Sequence, residues 1–200
     1  MITLDNCSFI GIGVHRKCFR HPNKDNLCIK VLVSNNTKEC VCEKKYYRHL
    51  ERRVISWAMI PRYFGEIETN LGIGSIFELI IDHDGTVSKT LDDYLSSEET
   101  TKEYCFDLIN SLYLLRRYLL QCRIITMNLN PRNIACQKSK SGIVLYVVDN
   151  LGNTEFIPIS SWSNYLARIK IERKWRHINL RREFFFPFNQ IVNSPNGKMA

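Results

Sequence analysis

No apolar run in this 200-residue chain approaches the roughly 20 residues needed to cross a bilayer as a helix. The opening MITLDNCSFI lacks the basic start, apolar stretch and small-residue cleavage site of a signal peptide. A cytoplasmic location is the expectation. The eight cysteines (Cys7, Cys18, Cys28, Cys40, Cys42, Cys105, Cys122 and Cys136) include no CxxC pair, and no histidine stands at ligand spacing from them. That argues against a zinc or redox site and for buried, reduced thiols, with Cys28 and Cys136 inside apolar strand-like runs. Internal repeats and low-complexity tracts are absent as well, which excludes a solenoid. Acidic residues are in deficit, 20 against 28 Lys and Arg, for a formal charge of +8 concentrated late in the chain. Such a balance favours anionic partners (nucleotides, phosphorylated substrates, nucleic acid, lipid surfaces) without choosing among them.

What is present suits one domain or two small lobes sharing a cleft: 44% of the residues are hydrophobic, enough for a sizeable core. The first third reads as strand, strand, strand, helix. ITLDNCSFIGIG, VHRKCFRHP and NLCIKVLVS are extended segments joined by polar turns such as HPNKDN. From Thr37 to about Trp57 the spacing of Cys40, Glu43, Tyr46, Tyr47, Leu50, Val54 and Trp57 predicts a helix capped by Thr37. RYFGEIET and IGSIFELIID flank the turn NLG as a hairpin. LDDYL is a short amphipathic helix, and a long one is expected from about Glu98 to Cys122, with Leu108, Ile109, Leu112, Leu115 and Leu119 on one face. Short strands around Ile124–Ile125 and Ile134–Cys136, then the buried strand VLYVVD, precede a last helix from about Ser160 to Arg182. The lobe boundary is placed near Asp84: residues 1–84, then 85–185, then a flexible tail over 186–200.

Glu43 shares its helical stripe with Tyr46, Leu50, Val54 and Trp57, which aims a carboxylate at the core. Burying it is costly unless it is paired. Lys30, within the apolar strand LCIKVLV, is the expected partner, because a strand lysine fixed by a helix glutamate holds nucleotide phosphates in kinases. Just upstream, Gly11 and Gly13 join two strands where missing β-carbons let backbone amides approach phosphate oxygens. Arg16 stands where a third glycine would complete that loop, either contacting a phosphate or stiffening the turn. In ITMNLNPRNIAC, Asn133 lies five residues after Asn128, and VLYVVDNLG ends in Asp149 with Gly152 three residues on. Kinases use the corresponding Asn and Asp as the protein ligands of Mg2+, a hard cation suited to oxygen donors. Four elements in kinase order on the expected secondary structure point to an α+β, protein-kinase-like fold: a small β-rich N-lobe, an antiparallel sheet plus one helix, and a short helical C-lobe. Asn128 replaces the catalytic-loop aspartate and cannot accept the acceptor's proton; such general-base help is typically worth about 10²–10⁴ in rate.

The blocks GIGVHRKCFRHP, IKV, EKKYYRHLERR, IPRYFGEIET, ITMNLNPRNIAC, VVDNLGNT and IPISSWS together resemble the bacterial YrbL family, the PhoP regulatory network proteins. The resemblance covers about Ile2 to Arg182. It implies a small Gram-negative protein with a protein-kinase-like fold and a place in the PhoP/PhoQ network, which answers low magnesium and envelope stress. Carried over from the kinase pattern, Lys30 would bind phosphate and Glu43 would orient it. Asn133 and Asp149 would hold Mg2+, Gly11, Gly13 and Arg16 would cover the ATP, and Glu78 and Ile80 would offer backbone groups to the adenine. Asn128 and Asp149 are the catalytic candidates.

Three functions follow. An atypical ATP-dependent phosphotransferase comes first, a nucleotide-binding pseudokinase that docks a protein partner comes next, and a basic nucleic-acid binder is distant. Any phosphoryl acceptor is expected to be small or docked in an unusual way, because 51 residues follow Asp149 and none form an APE-like segment. Nucleic acid is disfavoured, with neither a helix-turn-helix nor an aromatic-basic pattern. The last helix carries Arg168, Lys170, Arg173, Lys174, Arg176, Arg181 and Arg182. Its expected state is a solvated face packed through Trp162, Leu166, Ile169 and Trp175, with contact to an anionic surface as the alternative.

Overall fold

The computed structural model describes residues 1–4, 9–34, 37–152, 164–176 and 178. Three strands open the chain: β1 (Phe9–Ile12), β2 (Arg16–His21) and β3 (Lys24–Leu32). Helix α1 (Lys38–Arg52) follows, then the hairpin β4 (Tyr63–Thr69) and β5 (Gly72–Glu78). The five strands form one antiparallel sheet in the order β1-β2-β3-β5-β4. β3 lies at its centre, which explains its continuous apolar run. Ile29 and Val31 join Leu4 and Phe19 on one face, while Cys28 joins Tyr47, Leu50 and Phe77 on the other. Gly74 in β5 is fixed by this packing, since a β-carbon there would lie 2.4 Å from Cγ2 of Ile29.

The remainder is α2 (Leu91–Ser96), α3 (Glu98–Glu103), α4 (Cys105–Gln121), a 3-10 turn at Pro131–Asn133, the hairpin β6 (Ile134–Ser139) and β7 (Gly142–Val147), and α5 (Asn164–Arg176). Thr90 caps α2 through a reciprocal capping box with Asp93. The main apolar core is continuous from Cys28, Tyr47 and Phe77 through Leu91, Leu108 and Leu112 to Leu145, Leu151 and Trp175. It therefore runs across Asp84 without a break. Among the described residues, no helix is long and apolar enough to cross a membrane. Every described cysteine is free, with Cys28 and Cys136 buried.

Four expectations are corrected. Helix α1 stops at Arg52 because Val54 takes a left-handed backbone (φ 48°) after the Arg53 cap; Trp57 lies outside the helix yet still stacks on Tyr47, with centroids 6.1 Å apart. The long helix from Glu98 is two, broken at Tyr104. There Thr101 donates its hydroxyl to the Tyr94 carbonyl (2.7 Å) and the Tyr104 ring meets Tyr94 edge-on, so side-chain anchoring overrides helical continuity. Ile124–Ile125 is no strand, and the pairing there is a single bridge between Thr126 and Leu151. β7 ends at Val147, two residues before Asp149.

In α5 the buried stripe is Ala167, Ile171 and Trp175, with Leu166 and Ile169 facing outward. An i, i+4 row of mixed size packs on α4, and Arg116 of α4 holds Glu172 with two guanidinium nitrogens, the shortest contact being 2.7 Å. Trp162, Arg181, Arg182 and the 186–200 tail lie outside the described residues.

Candidate functional site

The face of the sheet toward α1 carries a row set by register. Cys18 of β2 pairs with Lys30 of β3, and Lys30 pairs with Ser75 of β5. Period-2 alternation then puts Arg16, Cys18, Cys28 and Lys30 on one side of the sheet. Helical spacing turns Glu43 of α1 to the same place, and the segment after β7 delivers Asp149. The four charged side chains meet there.

Arg16 is the hub. One guanidinium nitrogen lies 2.6 Å from Oε2 of Glu43, and the other is ion-paired to Oδ1 of Asp149. Lys30 donates to the carbonyl of Val148 at 2.6 Å, stands 3.6 Å from Oδ1 of Asp149 and lies 4.8 Å over the Phe77 ring. The other carboxylate oxygen of Glu43 accepts the Leu151 N–H at 3.3 Å, and Asp149 accepts the Asn150 N–H at 3.0 Å. The Arg16–Glu43 contact is close but out of hydrogen-bond alignment, so its strength is Coulombic. Side-chain exposure falls from 29% at Asp149 to 10% at Arg16 and Lys30 and 2% at Glu43, so the cluster opens to solvent on the Asp149 side.

Burial works against ionisation of Asp149, but Lys30 and Arg16 outweigh it and hold the carboxyl below its ordinary value. For Glu43 burial wins and pushes the carboxyl up, although Arg16 opposes the shift. The Lys30 ammonium suffers desolvation, yet Asp149 raises its pKa. Arg16, desolvated but set between two carboxylates, is held charged more firmly still.

The pairing expected between Lys30 and Glu43 is thus replaced. Glu43 binds Arg16, and Lys30 binds Asp149 and Val148. Asn133 comes close through its backbone, its carbonyl accepting the Val148 N–H at 2.8 Å. Gly11 and Gly13 frame the β1–β2 turn, closed by the Gly13 N–H on the Arg16 carbonyl at 2.8 Å. Glu78 ends β5 and Ile80 lies just beyond it, but their backbone groups are partly engaged. The Glu78 N–H donates to Arg62 (2.9 Å), the Leu79 N–H to Asn26 (2.8 Å), and the Ile80 carbonyl accepts from Ser88 (3.1 Å). Asn128 is exposed on its loop and makes no contact with the cluster. Sequence reasoning missed the central place of Arg16 and the contact from Lys174 of α5 to the Met127 carbonyl. In-phase arginines at 16 and 20 hinted at the first, but the β2–β3 register is not written in the sequence.

Mg2+ is tested here by charge. Oδ1 of Asp149 already receives Arg16, Lys30 and the Asn150 N–H. Two unit charges 4 Å apart at an effective dielectric of 20 interact by about 4 kcal/mol. A dication added beside a guanidinium and an ammonium meets twice that repulsion from each. Among the described residues, no three His, Cys, Asp or Glu side chains group to hold a metal. As arranged, Oδ1 of Asp149 is engaged by two cations, so a divalent ion binding at that oxygen would have to displace Arg16 or Lys30.

The family model for the PhoP regulatory network protein YrbL matches residues 2–183. The chain belongs to the YrbL family. It is 40% identical over 180 residues to the uncharacterized protein YrbL of Escherichia coli (strain K12), covering 88% of this chain and 85% of that protein, and the YrbL protein of Shigella flexneri matches to the same extent. All four cluster residues fall within the matched span of the YrbL model.

Proposed function

We propose that the crevice around Lys30, Arg16, Glu43 and Asp149 is a nucleotide site on a protein-kinase-like domain, and that the domain regulates a protein partner by its nucleotide-bound state. The carrying observation is the convergence itself. A strand ammonium and, 13 and 119 residues further along the chain, a helix carboxylate and a post-strand carboxylate come to one place at the edge of a glycine turn. Structural salt bridges need no such turn. A β-carbon on Gly11 would meet nothing within 4 Å and one on Gly13 only the Arg16 carbonyl at 3.7 Å, so the fold itself requires glycine at neither position. Glycines that leave the backbone of a turn uncovered next to Arg16 suit an approach by phosphate oxygens.

Regulation is favoured over turnover by Asn128, an exposed amide that cannot serve as general base, and by the engagement of Asp149 with Arg16 and Lys30. The YrbL family's name ties it to the PhoP regulatory network. In this reading the partner belongs to that network, and the basic face of α5 is a solvated surface rather than the site.

Thermal melting with and without ATP tests the reading. A ligand at 100 times its dissociation constant stabilises by about 2.7 kcal/mol, which is a rise of roughly 5–10 °C for a chain of this size. A melting point unmoved by ATP, ADP and GTP contradicts the proposal. ATP consumption that disappears in Asp149→Ala would instead make the protein a phosphotransferase.

A further inference from the structure

We propose that Arg16 is a resident counter-cation, so that the crevice binds a nucleoside triphosphate without a divalent metal. This deepens the nucleotide reading and rests on it. Three observations carry it. First, the guanidinium is built into the site: it is 10% exposed and set between Glu43 and Asp149, while its own backbone carbonyl closes the Gly13 turn. Holding both ends of the residue leaves little freedom for it to swing out. Second, Asp149, the carboxylate that would otherwise have to be neutralised before a polyphosphate could approach, is already engaged by Arg16 and Lys30. That is the office a metal ion performs between an acidic side chain and phosphate oxygens.

Third, the donors left over suit phosphate. A guanidinium has five N–H groups in a rigid fork; Nη2 of Arg16 is committed to Asp149, while Nη1, buried beside Glu43, has no aligned hydrogen-bond acceptor among the described residues. Lys30 has three donors, committed to Val148 and Asp149. Arg16 does not titrate in the physiological range, so the charge is permanent, as a metal's would be.

Calorimetric titration of ATP into the full chain, once in EDTA and once in Mg2+, decides the matter. The expected result is the same dissociation constant in both buffers within about twofold. In Arg16→Gln the metal-free affinity falls by about 10- to 100-fold, the loss of a charge-assisted contact, and Mg2+ restores part of it. Should that variant fail to fold, Arg16→Gln combined with Glu43→Gln removes the cation together with the carboxylate it leaves unpaired, and the same acquired Mg2+ dependence is expected. Wild-type binding seen only with Mg2+, or an Arg16→Gln affinity equal to wild type in EDTA, overturns this inference and leaves the nucleotide site standing. Absence of binding in both buffers overturns both.

Discussion

Val54 shows how one residue sets an element's end. It is 92% exposed with φ 48°, a β-branched side chain in the left-handed region that favours glycine. Val54→Gly should stabilise the chain by about 1 kcal/mol, because the left-handed penalty of an L-residue exceeds the added flexibility of glycine. Urea denaturation checks it, and a loss of stability would contradict the strain. His21 gives a pH dependence. Its Nδ1 accepts the Asn23 N–H at 3.1 Å, which requires a neutral ring, and burial followed by Lys24 lowers its pKa. Because the folded value lies below the unfolded one, near 6.5, the contribution is complete above about pH 6.5 and is lost as pH falls through the folded value. Wild type should lose stability between pH 7 and 5.5 relative to His21→Asn; parallel curves would refute the assignment. Lys30 and Glu43 were legible one by one, an ammonium in an apolar strand and a carboxylate on an apolar stripe. Their partners were not, since Arg16 reaches Glu43 through a strand register that local patterns leave open.

Among elements, the sheet was the most legible and the helix ends the least. Alternation and turn residues mark β1 to β5, whereas α1 was read through Val54 and Trp57 because the apolar spacing continues after the helix has stopped. Trp57 keeps that spacing by stacking on Tyr47 from a loop. Similarly, the break at Tyr104 is made by Thr101 and Tyr94, contacts from a neighbouring helix that a periodicity cannot contain. For α5, Leu166 and Ile169 outrank Ala167 in hydropathy, yet Ala167 is the one buried, in the i, i+4 row with Ile171 and Trp175. Docking of α5 depends on Trp175, which is 4% exposed. Trp175→Ala should cost about 3–5 kcal/mol, while Arg116→Ala, breaking a partly exposed ion pair with Glu172, should cost about 1 kcal/mol. Equal losses in denaturant melts would show that the ion pair, not the apolar stripe, fastens the helix.

For the molecule as a whole, one continuous core joins the five-stranded sheet to the helices and the β6–β7 hairpin, and the charged cluster sits where these parts meet. Tyr46 illustrates the fastening: its hydroxyl accepts the Ile125 N–H at 2.7 Å, binding α1 to the segment that pairs with Leu151. Glu43, one turn earlier on α1, is thereby held in place against Asp149's segment. Gly152 follows with φ 141°, where a side chain would be strained by the backbone even though its β-carbon would meet Cys42, Met127 and Tyr46 only at an ordinary 3.7 Å. Substitutions that loosen this junction should therefore disturb ligand binding before they unfold the sheet. The most direct test is the ATP dissociation constant of wild type beside Lys30→Gln and Lys17→Gln, the latter an exposed neighbour on β2. Lys30→Gln should bind ATP about 10- to 100-fold more weakly than wild type and Lys17→Gln as tightly; equal affinities for all three proteins would contradict a nucleotide site at Lys30.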